Sequence, residues 1–145
     1  MSGKRGNGAA ETSVKIVIPS EIRLVDLVHS ASEKMAELAG FDAEEGLNVG
    51  LAVREAVINA IVHGNGEDPG LEVDVTLTAS ERGMEASIGD RGSGFDPAVT
   101  PDPTEEANVL KTSGRGLLLI RAFVDDVIFS RRRKRGMEVT LVKNR

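Results

Sequence analysis

The chain has 145 residues, enough to build one ordinary core and little more. Its net charge of -5 speaks against a broad basic face for nucleic acid, and the absence of cysteine excludes a disulfide framework, thiolate catalysis and any cysteine-ligated metal. No apolar run approaches a membrane span, and Lys4 and Arg5 are not followed by the apolar stretch of a secretory signal, so the cytoplasm is the expected location.

Residues 1–13 carry too little apolar content to fold and are expected as a flexible tail, with one domain over 14–145. Val14 to Ile18 reads as a short strand stopped by Pro19. Ser20 and Glu21 are expected to open a helix whose apolar positions Ile22, Val25, Leu27, Val28, Ala31, Met35 and Leu38 keep helical spacing up to Gly40. Phe41 should pack beneath that turn. Asp42 reads as the N-cap of a second helix, substantially buried through Leu47, Leu51, Val57, Ile58, Ile61 and Val62 and ending near His63-Gly64-Asn65-Gly66.

Beyond the Asp68-Pro69-Gly70 turn, Leu71 to Leu77 and Met84 to Ile88 alternate apolar with polar residues on either side of Glu81-Arg82-Gly83, the pattern of a hairpin with one buried face. Phe95 to Ser113 holds three prolines and no periodicity, which predicts a long loop able to act as a lid. A short apolar helix from Gly116 to Phe123 follows, then a strand from Val127 to Ser130, a basic turn through Gly136 and a strand from Val139 to Val142. The order β-α-α-β-β-lid-α-β-β predicts an α/β two-layer sandwich, a mixed sheet covered by helices on one face. Arg131 to Arg135 is a run of five basic residues; on an acidic chain without Trp or Tyr it reads as a solvated hairpin and not as a grip on phosphate backbones.

Three short motifs carry chemistry. Glu55 and Asn59 stand one helical turn apart, so a carboxylate and a carboxamide share a face and could hold a metal ion and a water side by side. Asp90-Arg91-Gly92-Ser93-Gly94 puts an acid at the end of an apolar run and follows it with Gly92 and Gly94, which let backbone pass close to a flat ligand. An aspartate only accepts hydrogen bonds, so a buried Asp90 can select the exocyclic amino group of adenine. Ser113-Gly114-Arg115-Gly116 opens an apolar helix, where free N–H groups and the positive end of the dipole suit phosphate. Lys111 and Arg115 are the nearby cations, and His63 reads either as a polar helix end or as a phosphate or lid contact.

These boxes, in this order, resemble the N, G1 and G2 boxes of the GHKL ATPases, a superfamily that includes histidine kinases, gyrase-type topoisomerases and Hsp90 chaperones. Glu-Ala-x-x-Asn-Ala-x-x-His-Gly at 55–64, Asp-x-Gly-x-Gly-Phe-Asp-Pro at 90–97 and Gly-Arg-Gly-Leu-x-Leu-Ile at 114–120 are most similar to the small bacterial anti-sigma factor serine-protein kinases. The resemblance implies a Bergerat-type ATP-binding fold, with ATP and Mg²⁺ as cofactors, Glu55 as general base, Asn59 as metal ligand and Asp90 on adenine. Gly92, Gly94, Gly114, Arg115 and Gly116 would complete the nucleotide site, with Lys111 and His63 beside it. Several family members have an arginine where this chain has Thr112, so the cation that meets the γ-phosphate stays open.

By the same resemblance the protein sequesters a sigma factor and phosphorylates a serine of an anti-anti-sigma (STAS-type) partner, as a homodimer, without direct contact to nucleic acid or membrane. Partner contact is expected on the helix from Glu21 to Leu38. The alternative is a nucleotide-gated binding module with little kinase activity. A detached histidine kinase domain fits poorly, because His29 stands in His-Ser-Ala-Ser-Glu and not in a His-Glu-Leu/Ile-Arg context.

Overall fold

The computed structural model describes residues 11–92 and 115–145. The expected lid, with Gly94, Lys111 and Gly114, and most of the expected tail lie outside the described residues. The elements in chain order are β1 (Thr12–Pro19), a 3₁₀ turn (Ile22–Leu24), α1 (Val25–Leu38), α2 (Ala43–Asn59), a π turn (Ala60–Gly64), β2 (Glu72–Ser80), β3 (Gly83–Gly89), α3 (Arg115–Phe123), β4 (Asp126–Arg131) and β5 (Met137–Asn144).

The strands form one sheet in the order β1-β2-β3-β5-β4, and all four pairings are antiparallel. The β2–β3 hairpin is the one its alternation predicts: Val73, Val75, Leu77 and Ala79 are buried on β2, and Met84, Ala86 and Ile88 on β3. Register then extends the buried rows outward, Leu141 lying opposite Ala86 and Val127 opposite Leu141. The helices cover this face, so the architecture is the expected two-layer α/β sandwich, but among the described residues its sheet is wholly antiparallel where a mixed one was expected. The other face is mostly polar, Val17 and Ile128 being exceptions, with hydroxyl pairs Ser13–Thr78 at 2.9 Å and Ser87–Thr140 at 3.0 Å bridging neighbouring strands. No helix among the described residues is long and apolar enough to cross a membrane.

The helices meet the sheet through residues three and four apart. On α1, Val25, Val28, Ser32, Met35 and Ala36 are buried, and the Ser32 hydroxyl is satisfied by donating to the Val28 carbonyl at 2.8 Å. Gly40 ends the helix at φ +96, a conformation that glycine adopts without a Cβ penalty, and Phe41 tucks beneath with its N–H on the Ala36 carbonyl. Asp42 caps α2 as expected and forms a capping box: its carboxylate accepts from the Glu45 N–H at 2.8 Å, and the Glu45 carboxylate accepts from the Asp42 N–H at 3.2 Å.

Three local readings need correction. Ser20 does not cap a helix: it is buried, and its hydroxyl donates to the Leu71 carbonyl at 2.6 Å, so α1 begins later, behind a 3₁₀ turn. Leu27 and Leu38 lie on the outer side of α1 and are more than half exposed. Leu47 is likewise exposed, because α2 buries the side carrying Val49, Val53, Ala56 and Val57.

Candidate functional site

Glu55 and Asn59 lie on α2 beside the buried Ala56 and Val57, and both are half-buried. Across from them is the first turn of α3. A Cβ added to Gly116 would come within 3.1 Å of Glu55 Oε1 and 3.3 Å of Asn59 Nδ2, so the bare glycine lets the two helices close on this pair. Among the described residues neither side chain has a hydrogen-bond or ion-pair partner. A carboxylate and a carboxamide are thus gathered at a helix N-terminus with their polar atoms unclaimed by the described residues, an arrangement suited to a hydroxyl proton, a hard cation and phosphate. No group of three or more His, Asp or Glu among the described residues is placed to hold a metal. Magnesium, which keeps water and phosphate as most of its ligands, does not need one.

Past Asn59 the helix widens into a π turn, closed by the Asn65 N–H on the Ala60 carbonyl at 2.8 Å. The extra residue in the turn advances everything after it around the axis. Gly64 thereby comes against Asp90 at the end of β3: a Cβ on Gly64 would lie 2.2 Å from Asp90 Oδ2, and one on Gly92 would lie 2.0 Å from the Gly64 carbonyl oxygen. A third glycine, Gly136 at φ +95, packs on the Asp90 carbonyl. The carboxylate itself is buried. Its Oδ1 accepts from the Gly92 N–H at 3.0 Å and the Met137 N–H at 3.1 Å, whereas Oδ2 receives no hydrogen bond among the described residues.

Burial pushes the Asp90 carboxyl above the usual carboxylate range, with the Gly92 and Met137 N–H groups and the Arg132 charge pulling the other way. Among the described residues one oxygen is fixed and the other is left without a donor. That fits an exocyclic amino group presented by a flat base among glycines.

Side chains that the sequence did not single out hold this loop. Asn65 is buried, and its amide donates to Ser20 Oγ at 2.8 Å and the Glu72 carbonyl at 3.1 Å while its oxygen accepts from the Arg91 N–H at 2.8 Å. It ties the ends of β1, β2 and β3 to the π turn. Arg91 reaches sideways to Asp74 at 2.8 Å and Glu72 at 2.7 Å. Burial acts to raise the Asp74 carboxyl, but hydrogen bonds from Arg132 and Arg91 outweigh it and hold the group below its ordinary range. The expected solvated hairpin is only partly so: Arg132 donates to Asp74 and to the Asp90 carbonyl, and Arg135 donates to the Gly92 carbonyl at 3.0 Å.

The structure thus brings Glu55, Asn59 and Gly116 together, and separately Asp90, Gly92 and Gly64, with the π turn joining the two groups. His63 is exposed on that turn, and Arg115 is the first residue of α3. Asn65 had one sequence signal, a single polar amide directly after a helix end in His-Gly-Asn-Gly. Asp74 had none, being one polar residue of an alternating strand.

Comparison with known proteins adds a family. A family model described as the histidine kinase-like ATPase domain matches residues 18–143. The chain is similar to the serine-protein kinase RsbW of Listeria monocytogenes, 31% identical over 121 residues that cover 79% of this chain and 76% of that protein. It is also similar to the proteins of the same name from Oceanobacillus iheyensis, 28% identical over 120 residues, and Bacillus subtilis, 26% identical over 120 residues, covering 79% of this chain and 76% and 75% of those proteins respectively.

Proposed function

We propose, from the premise that this chain belongs to the histidine kinase-like ATPase domain family, that it is an anti-sigma factor with ATP-dependent serine/threonine kinase activity. In this reading it sequesters a sigma factor and transfers the γ-phosphoryl group of ATP to a serine of an anti-anti-sigma partner of STAS type, in the cytoplasm and as a homodimer. The observation that carries it is the unclaimed Glu55–Asn59 pair facing Gly116 at the start of α3.

Glu55 takes the proton of the attacking serine hydroxyl, which leaves the oxygen free for in-line displacement at phosphorus. Asn59 would hold Mg²⁺, which when bound would neutralise charge on the phosphate oxygens. Asp90 Oδ2 accepts from the adenine amino group, and the glycines at 64, 92 and 94 admit the ring. Gly114, Arg115 and Gly116 cradle phosphate, with Lys111 and His63 as further contacts. The exposed Leu27 and Leu38 on α1 give a protein partner apolar surface to cover.

The test is single-turnover phosphorylation of the cognate partner. Transfer of label from γ-labelled ATP to a partner serine by the wild type, lost in Glu55→Gln with nucleotide binding retained, is the expected result. Wild-type rates in Glu55→Gln would sink the base assignment. Nucleotide-dependent sigma capture without any transfer by the wild type would replace the kinase with a nucleotide-gated binding module.

A further inference from the structure

Two arginines of the basic run between β4 and β5 turn inward, onto the segment that carries Asp90. Arg132 Nη1 donates to Asp74 Oδ2 at 2.8 Å and to the Asp90 carbonyl oxygen at 3.0 Å, using one hydrogen for each. Its guanidinium lies directly over Gly89: a Cβ there would come within 2.6 Å of Nη1 and 2.9 Å of Cζ, so only glycine at this point of β3 lets the group settle where it does. The turn is closed by the Arg132 N–H on the Gly136 carbonyl at 2.9 Å, and Arg135 Nε holds the Gly92 carbonyl at 3.0 Å.

The carbonyl that Arg132 grips belongs to the peptide linking Asp90 to Arg91. That peptide also carries the Arg91 N–H, held by Asn65 Oδ1 at 2.8 Å, and the peptide next to it carries the Gly92 N–H, which at 3.0 Å is one of the two donors fixing Asp90 Oδ1. The other donor, the Met137 N–H, stands just beyond the same turn. Asp74 is the fixed post of the arrangement, since it lies opposite Gly89 on β2, a strand paired on both sides, and is also held by Arg91.

We propose that Arg132 is a positioning residue for nucleotide selection: anchored on Asp74 across the bare backbone of Gly89, it sets the direction of the Asp90 carboxylate and hence the preference for a base bearing an exocyclic amino group. This rests on the reading of Asp90 as the adenine acceptor. The residues of the basic run therefore divide in role, Arg132 and Arg135 serving the pocket and Arg133 and Lys134 remaining exposed.

The experiment compares binding of Mg-ATP with binding of the triphosphate of purine riboside, which keeps the ring, sugar and phosphates and lacks the amino group. Calorimetry on the wild type should show ATP favoured by about tenfold or more, and Asp90→Asn should remove the preference. Arg132→Gln should cut the preference to within about threefold while the affinity for the purine analogue changes by less than about twofold, a split that general loosening of the fold would not give. Gly89→Ala displaces the guanidinium without deleting it and should do the same, which keeps the question open to test if Arg132→Gln fails to fold. Arg132→Lys, which retains a charge and donors, should recover part of the preference. Equal loss of both ligands in Arg132→Gln and Gly89→Ala, or an unchanged preference in both, overturns the positioning role while leaving Asp90 in place. A wild type that binds both ligands alike overturns the adenine reading itself, and the proposal with it.

Discussion

The surroundings of Asp90 and those of Glu55 and Asn59 are built on opposite terms. Around Asp90 almost everything is spoken for: two N–H groups on one oxygen, three glycines against carboxylate and backbone, an arginine on the carbonyl. Around Glu55 and Asn59 the described residues leave both side chains without a polar partner. Recognition of a rigid base needs an acceptor whose position is settled beforehand, because each degree of freedom frozen on binding subtracts from affinity. A base and a metal ligand gain from staying unpaired until substrate arrives, since a prior hydrogen bond would have to be broken. On the proposed function, the difference separates a half that selects from a half that reacts.

The widest expected gap between the halves comes from Glu55→Gln. Phosphoryl transfer to the partner should fall by about a hundredfold or more, the usual loss for a positioned proton acceptor. Affinity for ATP should hold, and chemical denaturation should place the fold within about 0.5 kcal/mol of wild type, because the shape is kept and no hydrogen bond or ion pair among the described residues is lost. A large loss of stability would mean that Glu55 is engaged after all and the contrast is wrong.

Asp90→Asn should do the reverse. ATP affinity measured by calorimetry should drop by about tenfold to a hundredfold, as for a lost charge-assisted hydrogen bond of roughly 1.5 to 3 kcal/mol, while circular dichroism stays native. Unchanged affinity would take Asp90 out of the site.

A titration sharpens the same point. The adenine amino group favours ionised Asp90, whose carboxyl burial has already raised, so ATP affinity should be full above the raised value and decline as pH falls through it, with a proton released on binding inside that window. Stability of the free protein runs the other way. The ionised form is disfavoured in the fold, so the destabilising contribution present above the raised value is relieved as pH falls toward the ordinary aspartate range. Calorimetry in buffers of different ionisation heat reads the proton, and its absence would mean that Asp90 does not change charge with ligand.

The smallest effect is a control on both halves. Asp42→Ala removes the capping box of α2 and should cost about 1 kcal/mol of stability without altering nucleotide affinity. A loss of affinity as large as that of Asp90→Asn would show that the start of α2 communicates with its end.

What could be read in advance follows the same division. Glu55, Asn59, Asp90 and the glycines stand out because each proposed role needs a particular residue type at short spacing, and the hairpin and the Asp42 cap are written locally too. The supports are not local: Asn65 joins Ser20, Glu72 and Arg91, and Arg132 meets Asp74 across 58 positions. Neither partner suggests the other, since an asparagine after a helix and a basic turn each have an ordinary surface explanation. Leu27 and Leu38 misled for a related reason, as periodicity marks which residues are apolar and not which of two apolar stripes meets the sheet.

Strand order has a consequence for biosynthesis. β5 enters between β3 and β4, and it brings the Met137 N–H to a carboxylate 47 positions earlier. A ribosome adding about 5 to 20 residues per second needs roughly 2 to 9 s to cover that stretch, during which β3 is an unpaired edge with Met84, Ala86 and Ile88 along it. The newborn chain therefore carries Glu55, Asn59 and Asp90 for seconds before it can hold Asp90 in place, and β5, once made, both seals that edge and supplies the second donor to the Asp90 carboxylate.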